Sequence, residues 1–184
     1  ITISKYLEDH YKNQKCNTVA IPPLFDISMQ EQDIIRNLHS ECGACVRLVF
    51  AGSLGKKDYL IPLLKAVLQI NNDTIQIAID IIGPAKEEII NTLNLDDLEN
   101  YGIFLHGRLS NEETVKIVKQ ADFSVLFREN RRYAKAGIST KFSESMCVGV
   151  PSICTEVGGT DSFVEDGING FLISENSIDN IRKV

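Results

Sequence analysis

The chain has 184 residues, with 19 Lys and Arg against 25 Asp and Glu, a formal net charge of −6 at pH 7. That length suits one ordinary domain that closes its core without disulfide or metal staples, and 43% apolar with 24% charged residues excludes disordered and fibrous classes. The acidic balance argues against a non-specific nucleic-acid binder, which needs clustered Lys and Arg, and the most apolar run, Ile75 to Ile82, is broken by Gln76 and Asp80 and falls far short of a membrane span.

The opening Ile1-Thr2-Ile3-Ser4 carries neither an initiator Met nor a signal segment, so the sequence is expected to be a piece of something longer. Lys5 to Lys12 reads as a helix, Pro22-Pro23 as a turn, and Gln30 to Leu38 as a polar helix-like stretch. Val46 to Phe50 is a short β-branched run suited to a buried strand. Asp58 reads as the N-cap of a helix whose Leu60, Ile61, Leu64, Val67 and Leu68 recur at helical spacing. Ile75 to Ile82 is the next strand, stopped by Gly83-Pro84. A helix over Lys86 to Leu93 and a strand over Ile103 to Leu105 follow. Ser110-Asn111-Glu112-Glu113 is a capping box opening a helix to Gln120. Phe123 to Phe127 is a strand, Lys141 to Val148 a helix and Val150 to Cys154 a strand; Asp166-Gly167 and Asn169-Gly170 turn the chain into Phe171-Leu172-Ile173.

Apolar strands alternating with amphipathic helices predict an α/β fold, a doubly wound, Rossmann-like parallel sheet with helices on both faces. Residues 1–40 read as a lead-in and 41–184 as the domain proper. Five cysteines (Cys16, Cys42, Cys45, Cys147, Cys154) do not make a paired secreted framework, and a reducing cytosol is expected. Cys42-Gly43-Ala44-Cys45 precedes a strand rather than opening a helix, and no second close-spaced ligand pair accompanies it. It reads as incidental rather than as a redox or zinc pair.

In such sheets ligands sit beyond the carboxyl ends of the strands. The first strand ends in Gly52-Ser53-Leu54-Gly55-Lys56-Lys57, either an anion-binding turn or a plain turn with solvated lysines, and neither a P-loop nor Gly-x-Gly-x-x-Gly. The third ends in His106-Gly107-Arg108: Arg108 is placed either for a phosphate or for a surface ion pair, and His106 reads as a packed or hydrogen-bonded histidine rather than a base. The fourth ends in Arg128-Glu129-Asn130-Arg131-Arg132-Tyr133-Ala134-Lys135, a local charge reversal that suits an anionic ligand or else a solvated loop. Gly137-Ile138-Ser139-Thr140-Lys141 then enters a helix whose free N–H groups favour phosphate. Glu144 lies one turn in, able to accept two sugar hydroxyls or else to face solvent.

Lys141-Phe142-Ser143-Glu144-Ser145-Met146-Cys147-Val148-Gly149-Val150-Pro151, Glu156-Val157-Gly158-Gly159 and Glu165-Asp166-Gly167-Ile168-Asn169-Gly170-Phe171 together resemble the family 4, group 1 glycosyltransferases. The match is to their C-terminal, nucleotide-sugar-binding domain, one half of a GT-B fold. Ile3 to Leu7 and the run to Asp26 resemble the inter-domain stretch that leads into it. The resemblance implies that Gly52 and a following lysine, Lys57 rather than Lys56, face the donor diphosphate, that Ser53 stands where the family usually has Arg, and that Glu144 holds the ribose. The family's first Glu would fall at Ala136. Gly137 to Lys141 before Glu144 resembles a subgroup of bacterial cell-surface polysaccharide enzymes, and Arg128 and Lys141 are expected to supply the charge that Ser53 and Ala136 lack. A cytoplasmic enzyme at the inner face of the cell membrane is thereby implied, with a UDP-sugar donor (GDP-sugar the alternative) and a carbohydrate or glycolipid acceptor. Its N-terminal GT-B domain lies outside the sequence, and the fragment alone is expected to be inactive. No Asp-x-Asp motif is present, and no metal is expected. The rivals are a nucleotide-sugar epimerase, a binding-only module and a flavodoxin-like receiver, the last disfavoured because no acidic cluster follows the first strand.

Overall fold

The computed structural model describes residues 1–24, 45–55 and 58–173. Within them, β1 (Val46–Ala51), β2 (Ile77–Ile82), β3 (Ile103–Gly107), β4 (Phe123–Leu126), β5 (Ser152–Thr155) and β6 (Gly170–Ile173) form one parallel sheet in the order β3-β2-β1-β4-β5-β6. The helices are α1 (Lys5–Lys12), α2 (Leu60–Ile70), α3 (Lys86–Leu93), α4 (Asn111–Gln120), α5 (Arg132–Lys135) and α6 (Thr140–Cys147). The doubly wound α/β sheet is the predicted one. The stretch near Gln30 to Leu38, with Cys42, lies outside the described residues.

Both faces of the central strands are buried because successive side chains point to opposite sides. Leu48 and Phe50 of β1 pack with Leu60, Leu64 and Val67 of α2 and with Ile79 and Ile103. Val49, between them, joins Ile82, Val118, Val148 and Val150 on the other face. A strand covered twice has no room for polar alternation, which is why the sequence reads as continuous apolar runs.

The helix ends show where local chemistry won. Ser110 Oγ accepts from the Glu113 amide at 3.3 Å and the Glu113 carboxylate accepts from the Ser110 amide at 2.9 Å, so the predicted capping box is formed. Asp58, expected to cap α2, does not. Tyr59 precedes that helix, no side chain caps it, and Asp58 is drawn to Arg128 instead. β2 starts two residues later than expected because Asn71, buried at the end of α2, holds the preceding turn. Its Oδ1 accepts from Gln76 and Ile77 amides, and its Nδ2 donates to the Ile77 and Tyr101 carbonyls at 2.7 Å. Pro22 and Pro23 lie in irregular backbone rather than a turn; residues 19–21 instead run beside Thr2, the Thr2 amide donating to the Val19 carbonyl at 2.9 Å.

The chain builds outward from β1 to β3, then returns to place β4 on the other side of β1. The loops leaving β1 and β4 therefore diverge, and a crevice opens between them at the strands' carboxyl ends. Gly83 lets that end close up: it sits at φ +117°, and a Cβ there would fall 1.8 Å from the Gly52 carbonyl oxygen. Leu64→Ala, which hollows the core beneath α2, is expected to cost about 3 kcal/mol, measured by urea unfolding. A loss under about 1 kcal/mol would mean that this face is poorly packed.

Candidate functional site

The crevice between β1 and β4 is a cleft of about 430 Å³. Gly52, Ser53 and Asp58 line it from the β1–α2 loop, and Arg128, Tyr133, Ala134 and Gly137 to Lys141 line it from the β4–α6 segment. Of the predicted site residues, it brings together Gly52, Ser53, Arg128, Gly137, Ile138, Ser139, Thr140 and Lys141. Lys56 and Lys57 lie outside the described residues. Gly107 and Arg108 are not brought to it: they end β3, the edge strand, with β2 between them and β1. The Gly107 carbonyl accepts from Gly83, and Arg108 is exposed.

At the start of α6, Ser139 takes the cap position, yet its side chain makes no capping bond. Its carbonyl accepts from the Ser143 amide at 3.1 Å and the Ser143 hydroxyl at 3.2 Å. Among the described residues the amides of Thr140, Lys141 and Phe142 have no acceptor. These are the orphan donors of a helix N-terminus, carrying its positive dipole end. Thr140 and Lys141 line the main cleft and Phe142 the small crevice beside it, and a row of such amides suits an anion.

The segment presenting them is held from three sides. The Ser4 hydroxyl donates to the Ala136 carbonyl at 2.8 Å while accepting from the Leu7 amide at the start of α1. Gly158, at φ +77°, packs so closely that a Cβ would lie 2.6 Å from the Gly137 carbonyl oxygen and 2.9 Å from that of Ala134. Thr155 in β5 grips Arg128: its hydroxyl accepts from the Arg128 amide at 3.0 Å and donates to the Arg128 carbonyl at 3.1 Å. Beneath α6, the hydroxyls of Ser124, Ser145 and Ser152 bond one another, and Ser145 also donates to the Phe142 carbonyl. Small, mutually satisfied hydroxyls let helix and sheet approach closely with no polar group stranded.

The charges are more balanced than the sequence suggests. Arg128 Nε donates to Asp58 Oδ1 at 2.8 Å, and Arg131 pairs with Glu129. Lys141 Nζ donates to Glu144 Oε2 at 2.7 Å, and no other partner of either group is found among the described residues. Glu144 does not line the main cleft. With Lys141 it lines a small adjoining crevice walled by Val49, Ala51, Val118 and Leu126. Lys141 touches both hollows and so joins them.

Elsewhere, His106 is the hydrogen-bonded histidine expected: its Nε2 lies 2.7 Å from Asp80 Oδ1, while Arg47 Nε donates to Asp80 Oδ2 at 2.8 Å. Asp80 is buried, and these two neighbours make its burial tolerable. Burial pushes the Cys154 thiol up to about 12, so it stays protonated and inert at neutral pH.

Comparison with known proteins places the chain in a family. The model for glycosyl transferases group 1 matches residues 45–183. The chain belongs to the group 1 glycosyltransferases. An uncharacterized glycosyltransferase of Methanocaldococcus jannaschii is 27% identical over 139 residues, 75% of this chain and 34% of that protein. The GtfA subunit of the UDP-N-acetylglucosamine–peptide N-acetylglucosaminyltransferase of Streptococcus pneumoniae is 27% identical over 135 residues, 71% of this chain and 25% of that protein. The chain thus spans about a third and a quarter of these relatives. HepE of Anabaena, solved with UDP and glucose, shares the fold at TM-score 0.74 and 17% identity over 99% of this chain and 50% of its own. This group 1 glycosyltransferase domain corresponds to one Rossmann-like half of a GT-B fold.

Ser4, Asp58, Thr155 and the serine triangle escaped sequence reading. Serines within otherwise apolar strand runs at 124 and 152 were the available sign, since a buried hydroxyl needs a partner. Ser4→Ala is expected to cost about 1 kcal/mol and to speed amide exchange across residues 134–139, an effect absent if the contact is incidental. Gly158→Ala, strained in backbone and in space, should cost more than about 1 kcal/mol by thermal unfolding; a neutral result would show that the segment yields freely.

Proposed function

We propose that residues 41–184 are the donor-binding domain of a two-domain glycosyltransferase and that residues 1–40 lead into it from an N-terminal acceptor domain. The donor is a nucleoside-diphosphate sugar, a UDP-sugar rather than a GDP-sugar, and the acceptor a cell-surface polysaccharide or glycolipid met at the cytoplasmic face of the membrane. One observation carries this: α6 opens with three amides that find no acceptor among the described residues, Thr140 and Lys141 lining the cleft at the strand-order reversal and Phe142 the crevice that adjoins it. HepE, bound to UDP and glucose in its own structure, supports a uridine donor for this fold, as does the UDP-N-acetylglucosamine named for the Streptococcus relative.

Glycosyl transfer leaves a cation-like sugar and a departing diphosphate. What the protein supplies is stabilisation of the charge growing on that leaving group, and each well-placed donor is worth about 3 kcal/mol. Here the amides of Thr140, Lys141 and Phe142 are fixed donors, with Lys141 and Arg128 as cations beside them. Glu144, one turn along and next to the adjoining crevice, is placed to accept ribose hydroxyls. Lys57 and Lys56 would add charge from the β1–α2 loop, and Gly52 and Ser53 leave that side open. No metal step is needed in this scheme.

A binding-only role is the second reading. It is favoured by Ala136, which puts a methyl where the family has a carboxylate, and by the pairing of Arg128 with Asp58 and of Lys141 with Glu144. Calorimetry on the full-length protein separates the two when followed by transfer assays with labelled donors. UDP is expected to bind more tightly than ADP or GDP, and transfer to follow. Binding without transfer would establish the second reading, and no binding to any would remove both.

The charges are tested by Arg128→Met and Lys141→Met. Each deletes a cation and strands a carboxylate, and loss of a charge-assisted bond is worth about 2 kcal/mol, so UDP affinity should fall tenfold or more. Gly137→Ala adds a methyl with nothing among the described residues within 4 Å. It should leave thermal stability unchanged while weakening UDP; unchanged affinity in all three variants would refute the site.

A further inference from the structure

We propose that Asp58 is a specificity-determining residue whose carboxylate accepts hydroxyl groups of the transferred sugar, an inference that rests on the donor-cleft reading above. Of the described residues lining the main cleft, Asp58 is the only acid. Its Oδ1 is taken by Arg128 Nε at 2.8 Å, and no described residue bonds its Oδ2. A carboxylate accepts up to about four hydrogen bonds, so this one has capacity to spare on a cleft wall.

The side chain is not needed to fix the loop. The Tyr59 amide already donates to the Phe127 carbonyl at 2.8 Å, and residues 58 and 128 form an antiparallel bridge through their backbones. The ion pair is mostly removed from solvent, the Asp58 side chain retaining 11% exposure and that of Arg128 21%. Pairs of this kind contribute little net stability, because desolvation offsets attraction. What the pair does achieve is orientation: Arg128 locks the Asp58 rotamer, so the unused oxygen is pre-positioned.

The chemistry of the ligand decides what that oxygen meets. A diphosphate presents only acceptors and negative charge, and would be repelled. A sugar presents hydroxyl donors, which a fixed carboxylate receives at little further entropic cost. With the phosphates at the α6 amides, the sugar is the donor-rich portion left to occupy the Asp58 side of the cleft. A site built to hydrogen-bond a hydroxyl also rejects analogues lacking it, because its acceptor is then left unpaired.

The test compares the full-length wild-type protein with Asp58→Asn, whose amide oxygen still accepts from Arg128. Calorimetry with UDP, UDP-glucose, UDP-galactose and UDP-N-acetylglucosamine gives, for each sugar nucleotide, its affinity relative to UDP. The variant is expected to lose at least tenfold for the preferred sugar nucleotide and no more than threefold for UDP, with retained UDP binding showing that the cleft is intact. Equal losses for UDP and the sugar nucleotides would overturn the inference in favour of a structural or nucleoside-facing role, and so would no loss for either. Wild-type protein that binds none of the four would overturn the donor reading itself, and the inference with it.

Discussion

Three amides at the start of α6, two on the main cleft and one on the crevice beside it, find no carbonyl or side chain among the described residues to receive them, and most of the surrounding structure serves to keep them there. A helix N-terminus left uncapped is ordinarily a weakness, since each orphan donor favours water over protein. Here the Ser139 side chain, the natural capping group, makes no capping bond. The segment before the helix is gripped by Ser4, Thr155 and the close approach of Gly158, and the helix itself rests on three interbonded serines. The fold spends small residues and buried hydroxyls on fixing a loop, where larger apolar side chains would have stabilised more.

Electrostatics adds restraint to this arrangement. The run from Arg128 to Lys135 looks strongly cationic in sequence, but Asp58 and Glu129 offset two of its arginines and Glu144 offsets Lys141. On the proposed reading, fixed backbone donors thus carry more of the anion binding than the count of basic residues implies. Such donors keep their geometry whatever the pH, and they need no reorganisation when charge develops on a leaving group. The pairings have a second consequence: Arg128 and Lys141 are each held in one place, and Asp58 and Glu144 each keep an oxygen for hydroxyl groups.

The fold was largely legible because its signals are local and repeated. The apolar runs at β1, β2 and β4, the spacing of Leu60, Leu64 and Val67, and the capping box at Ser110 each specify one element. The carboxyl-end rule then points to the β1 and β4 loops. The Gly137 to Lys141 motif was visible for the same reason. Long-range pairings were not. Asp58 sits where an N-cap belongs by sequence, and only the crossing of its loop over the end of β4 reveals Arg128 as its partner. Gly107 and Arg108 look equivalent to the other strand-end loops until the strand order places β3 at the edge. Ser4 lies 132 residues from Ala136, a contact no local pattern announces.

The most direct measurement is a crystal structure of the full-length protein with UDP. The diphosphate is expected within hydrogen-bond distance of the Thr140, Lys141 and Phe142 amides, with the ribose hydroxyls on Glu144. A diphosphate seated elsewhere, with those amides facing water, would contradict the account at its root.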